Sequence, residues 1–164
     1  MSRATQLAKH VERIVTGPAW HGPALAQVLE SVTHDQAVKR PIAGAHSIWE
    51  IVLHVTTWAQ IARERLKGES IADPPVERDW PPVLLPGSDP KAGSDPDLHE
   101  WRVAIEQLGF AHRMLAADVR ALGDEALDAN VPGLDYSGWI LLHGVVEHGA
   151  YHAGQIALLT RALK

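Results

Sequence analysis

The 164-residue chain contains no cysteine. That excludes disulfides, a thiolate nucleophile supplied by the protein, and every cysteine-based zinc site, and it agrees with a reducing compartment. No run of 18 apolar residues occurs, and the opening stretch MSRATQLAKHVERIV carries charges every few residues where a signal peptide would have an apolar core. The expectation is a soluble, cytoplasmic protein with no membrane partner. Positive charge is also scarce: 15 Lys and Arg stand against 20 Asp and Glu, a net charge of −5, with no basic stripe for a phosphate backbone. Nucleic acid is not an expected partner. Sustained β-branched alternation, the mark of strands, is missing too. What remains is an all-α protein whose length suits one domain, residues 1–164, with a single core.

Four segments have helical periodicity. The first covers about residues 3–32 and is interrupted by TGPAWHGP, where Gly17, Pro18, Gly22 and Pro23 predict a break near Trp20. The second opens at HSIWE, where Ser47 and Glu50 have capping-box spacing, and ends near Gly68. Its apolar stripe is Ile48, Ile51, Val52, Val55, Ala59 and Ala62. The third begins at SDPD, with Asp95 as N-cap and Pro96 as first helical residue, and runs through Trp101, Ile105, Leu108 and Leu115 to about Leu122. The fourth spans about Ser137 to Ala162. Residues 68–96 contain seven prolines and no helical period. Such a connection can return along a 20-residue helix of about 30 Å, which predicts an up-down-down-up four-helix bundle with one long crossover between the second and third helices. Trp80, Val83, Leu84 and Leu85 are expected to pack the crossover onto the bundle.

Ten histidines are present, and two of them interrupt an apolar face. In EHGAYHAGQI, His148 and His152 lie four apart, within a stripe that also holds Leu141, Val145, Gln155 and Leu159. Two buried imidazoles need partners for every nitrogen: core hydrogen bonds are one answer, a shared metal ion the other. A third ligand would come from another helix, and His54, at the edge of the second helix's apolar stripe beside Ile51, Trp58 and Ile61, is the candidate. His143 projects about 140° away from His148 and is expected to pair with Glu147. His10, His34, His99 and His112 sit among charges or at helix ends and are expected to be solvated. His46 is expected in the loop beside the cap, and His21, in the Gly/Pro break, at a pocket mouth or as loop filler.

The stretches RPIAGAHSIWEIVLHV and LLHGVVEHGAYHAGQI, flanked by AWHGPAL and LTRAL, resemble the DinB/YfiT-like superfamily of metal-dependent enzymes over nearly the whole chain. The resemblance implies an up-down-down-up bundle, commonly dimeric, whose divalent ion is held by one histidine of the second helix and the HxxxH pair of the last. By motif position these are His54, His148 and His152. It also implies low-molecular-weight thiol chemistry, because relatives include transferases and isomerases that use bacillithiol or mycothiol.

Three imidazoles leave coordination positions open, as in catalytic rather than structural sites. The leading expectation is transfer of a small thiol to a small-molecule substrate; hydrolysis by a metal-activated water is the alternative, and a non-catalytic dimeric metal-binding module the third. Imidazole suits several ions, with zinc or nickel the first expectation and iron the second. Glu50, one turn before His54, is a candidate to orient that ring besides its place in the capping box, and Gln155 is a candidate to contact metal-bound water or substrate, or to make a plain core hydrogen bond. Trp49, Trp58 and Trp139 are expected in the bundle interior. The fourth helix has little charge on any side, which predicts a homodimer buried against it, with Gly144, Gly149 and Gly154 allowing close approach.

Overall fold

The computed structural model describes residues 1–83 and 96–164, and these form helices and connections with no strand among them. The long helices are α1 (Arg3–Thr16), α4 (Ile48–Leu66), α6 (Pro96–Ala121) and α8 (Gly138–Ala162). Between them lie the short helices α2 (Leu25–Leu29), α3 (His34–Ala37), α5 (Val76–Asp79) and α7 (Asp124–Asp128). The class is all-α. No described helix is long and apolar enough to cross a membrane.

The boundaries follow local chemistry. Ser47 Oγ accepts from the Glu50 N–H at 3.2 Å while a Glu50 carboxylate oxygen accepts from the Ser47 N–H at 2.7 Å, the reciprocal cap that the S-x-x-E spacing predicts. Ser137 caps α8 in the same sense, accepting from the Ile140 N–H. Helix α1 stops at Gly17, whose φ of 73° is open to glycine at little cost, and Trp20 stands fully exposed in the break that follows. Pro96 heads α6 as expected, whereas Asp95, Leu84 and Leu85 lie outside the described residues. The one-turn helices α3, α5 and α7 were not anticipated, because four or five residues are too few for a 3.6-residue period to declare itself.

Helix α1 packs against α6 and α8, and α4 packs against the same two, so the four close into a ring. One half of the interior gathers Trp49, Val52, Trp101 and Ile156 with Leu25 and Leu29 from α2. The other gathers Leu7, Val11, Leu115, Val119 and Leu142 with Leu127 from α7. The Trp101 indole donates to the Val32 carbonyl at 3.2 Å, tying α6 to the segment after α2. Trp80 and Val83 pack partly buried on the first half, so the proline-rich segment touches the helices at these two residues.

Two expectations need correction here. His112 is not solvated: its ring is 1 % exposed, because it continues the buried stripe of Leu108, Leu115 and Val119 on α6. Gly149 does allow a close approach, but within the chain: a Cβ there would lie 2.6 Å from Ile14 Cγ1 of α1, while Gly144 and Gly154 face open space.

Candidate metal centre

Helices α4 and α8 are in contact, and His54 from the one meets His148 and His152 from the other. His54 and His152 are buried and His148 is half-buried. The Nε2 atoms converge: His148 Nε2 is 2.9 Å from that of His54 and 2.9 Å from that of His152. Among the described residues this is the group whose ligand atoms all lie within 4.8 Å of one another.

The opposite ring nitrogens decide what those Nε2 atoms are. His54 Nδ1 lies 2.7 Å from the Asp79 carbonyl oxygen, which can only accept, so Nδ1 carries the proton and Nε2 presents a bare lone pair. His152 Nδ1 lies 2.6 Å from the Gln155 amide oxygen, with the same consequence. His148 Nε2 has one proton at most to offer two acceptors. At least one contact at 2.9 Å is therefore lone pair against lone pair, a repulsive arrangement that a shared cation converts into coordination. The donor set fits a divalent ion.

Electrostatics agree. Burial, the leading cause, pushes His148 down to about 3, with His152 and His54 adding to the effect. Burial also brings His152 down to about 4 against the opposing Gln155 hydrogen bond. It lowers His54 as well, where Asp79 pulls back in the other direction. All three rings are neutral near pH 7, the state that ligates metal.

The surroundings are built from α5 and the residue after it. Asp79 holds His54 through its main-chain oxygen, has a carboxylate oxygen 3.3 Å from the same nitrogen, and accepts from the Trp58 indole at 2.7 Å. The Trp80 ring stacks on His54 at 3.8 Å between centroids. A cavity of about 590 Å³ opens beside the rings, lined by His148, His152 and Gln155 together with Ile42, Tyr151 and Leu158. A smaller one of about 370 Å³, lined by His54, Trp58, Asp79 and Tyr136, shares His148 with it.

A family model described as the DinB superfamily matches residues 19–156. The chain belongs to the DinB superfamily. No curated protein and no solved structure matches it.

Other expected residues of this DinB superfamily chain are distributed differently. Glu50 does not orient His54: its carboxylate is engaged by the Ser47 N–H and by Arg40, and Asp79 occupies the histidine nitrogen instead. Gln155 touches His152 directly. His21 is exposed and lines a separate cleft with Pro18, Trp20 and His10, away from the three rings. His143 donates to or accepts from nothing on Glu147; its Nδ1 bonds the Trp139 carbonyl at 3.0 Å, and its ring lies on the Trp139 indole at 4.1 Å. Helix geometry favours this, since an imidazole reaches back to the carbonyl four residues earlier and Glu147 is free to turn to water. His34 is only partly exposed, edge-on to Trp49 at 5.4 Å, and His10 and His99 are exposed as expected. Sequence reasoning missed Asp79. A carboxylate followed by tryptophan after Pro74-Pro75 was the available signal, with Pro75 at the N-cap of α5.

Proposed function

We propose that this chain is a metal-dependent enzyme that transfers a low-molecular-weight thiol to a small electrophilic substrate, its ion held by His54, His148 and His152. One observation carries the reading: three neutral imidazoles converge beside a cavity of about 590 Å³, where a structural site would be closed by protein ligands. Zinc or nickel is the first candidate ion and iron the second. When bound, the ion supplies Lewis acidity that favours the deprotonated form of a thiol or water.

The chain's own residues do the remaining work. Asp79 and Gln155 fix two of the rings in the ligating tautomer. Trp80 covers the His54 ring and keeps water from that side. Ile42, Tyr151 and Leu158 offer apolar surface to the substrate. The nucleophile must come from outside, because the chain has no cysteine of its own.

The proposal extends to a cytoplasmic homodimer of up-down-down-up bundles. Residues 67–95 separate α4 from α6, enough chain to return along the roughly 28 Å of a 19-residue helix. On α8, Ile140, Tyr151 and Leu158 are exposed on a side that also holds Gly144, Gly154 and the exposed Glu147, a mostly apolar strip suited to a second copy. Light scattering at micromolar concentration should return twice the chain mass, and a monomer mass removes the dimer.

Elemental analysis of tag-free protein should give one divalent ion per chain, lost in His148→Ala and in His152→Ala. Cobalt-substituted protein should develop a sulfur-to-metal absorption band on addition of a small thiol. If no thiol produces the band while activated esters are hydrolysed only by metal-loaded protein, the hydrolase reading replaces this one. If both assays fail, the metal-binding module without catalysis stands.

A further inference from the structure

We infer that His46 is a catalytic residue, the proton acceptor for the nucleophile in the larger cavity, oriented by the Glu50 carboxylate; this rests on the metal-enzyme reading above. His46 lines that cavity together with His148, His152 and Gln155, yet it does not belong to the converging group of three. Its ring is parallel to Trp80 at 3.5 Å, and Trp80 in turn lies parallel to His54 at 3.8 Å, so one indole separates the ligand from the second imidazole.

The two nitrogens of His46 differ. Nδ1 is sealed from solvent, makes no hydrogen bond, and has the Glu50 carboxylate 3.7 Å away. That carboxylate is held in place by the Ser47 N–H and Arg40, and these bonds keep it below the usual carboxylate range despite burial. An anion facing a buried imidazole nitrogen favours the proton on that nitrogen. Nε2 is then left as the base, on a side chain that is 43 % exposed at the cavity wall.

The step balances without any further reagent. Nε2 takes the proton of the thiol S–H; the bonding pair stays on sulfur and forms the new bond to the electrophilic carbon. The leaving group departs with its own bonding pair, and the imidazolium, facing Glu50, returns the proton to it or to solvent.

The test uses full-length, metal-loaded protein with L-cysteine and 1-chloro-2,4-dinitrobenzene, and with p-nitrophenyl acetate as the ester probe. His46→Phe keeps a ring on Trp80 without a nitrogen, and His46→Gln is the second variant. Both should retain metal content, circular dichroism and the cobalt band, with KM little changed and kcat lower by roughly 10²–10⁴-fold. Nitrogen-15 NMR of the wild type should place the His46 proton on Nδ1, a readout that needs no variant. Wild-type kcat in His46→Phe, loss of metal in either variant, or a proton on Nε2 overturns the inference alone. A wild type that holds metal but turns over neither probe overturns the enzyme reading and the inference with it.

Discussion

Replacing Gln155 by leucine isolates the contribution of one hydrogen bond to metal affinity. The Gln155 amide oxygen is 2.6 Å from His152 Nδ1, and His152 is only 4 % exposed, so little water can take the amide's place. Without the acceptor, the ring either keeps a buried donor unpaired, at about 1–3 kcal/mol, or moves its proton to Nε2 and gives up the lone pair that faces the other two rings. Outer partners of metal-ligating histidines are commonly worth about 10–100-fold in affinity, which is roughly 1.4–2.7 kcal/mol and lies within that range. Competition against a chromogenic chelator should therefore show Gln155→Leu binding zinc about 10–100-fold more weakly. The metal-free variant should melt close to the metal-free wild type, since without an ion His152 can carry its proton on Nε2 and donate it to His148 Nε2, 2.9 Å away, and leucine suits the helix. Gln155→Glu keeps an acceptor and should retain wild-type affinity or exceed it. Undiminished affinity in Gln155→Leu, or an equal loss in Gln155→Glu, would refute the argument that this bond sets the His152 tautomer.

Further outcomes can be stated briefly. His112 is brought down to about 4 by burial; above pH 6.5 it is neutral whether folded or not, and between 6.5 and about 4 only the unfolded chain takes the proton. It therefore destabilises the fold by about 1.4 kcal/mol per pH unit of acidification in that window, and urea melts of His112→Leu should show a shallower loss between pH 6.5 and 4. Gly149→Ala places a Cβ 2.6 Å from Ile14, and overpacking of about 1–3 kcal/mol should outweigh the helix gain of about 1 kcal/mol, lowering Tm by a few degrees in calorimetry. His143→Ala should leave metal stoichiometry unchanged, because that ring lies on Trp139; metal loss in this variant would break the assignment of ligands to faces.

The parts of the fold that repeat along the chain were readable from it. The cap at Ser47, the start of the last helix near Ser137, the break after Thr16 and the start at Pro96 each depend on residues within one turn of the boundary, where sequence distance and spatial distance coincide. His148 and His152 were readable for the same reason, since a spacing of four sets their relation on any helix. His112 carries a core signal as well: it stands four after Leu108 and three before Leu115, inside the buried stripe, although Arg113 beside it suggests solvent. Periodicity outranks neighbouring charge in such a case, because adjacent helical residues face directions about 100° apart.

What the sequence could not yield is the set of groups that surround the three converging histidines. Asp79 reaches His54 across a separation of 25 residues, and it does so mainly with a main-chain oxygen, which every residue possesses and no side-chain pattern announces. Its position depends on α5, a single turn following two prolines, whose last residue is Asp79 itself. The same short element sets Trp80 between His54 and His46, so one turn of helix fixes the tautomer of His54 and also presents the neighbouring imidazole to the cavity. A change that unwinds α5 without touching any histidine, such as Arg78→Pro, which removes the Arg78 N–H bond to the Pro75 carbonyl and drives Glu77 out of the helical region, should therefore weaken metal binding and disturb His46 together. Substitutions on exposed turns elsewhere, such as α3, should do neither. That pairing of effects distinguishes a segment that organises the centre from one that merely covers it.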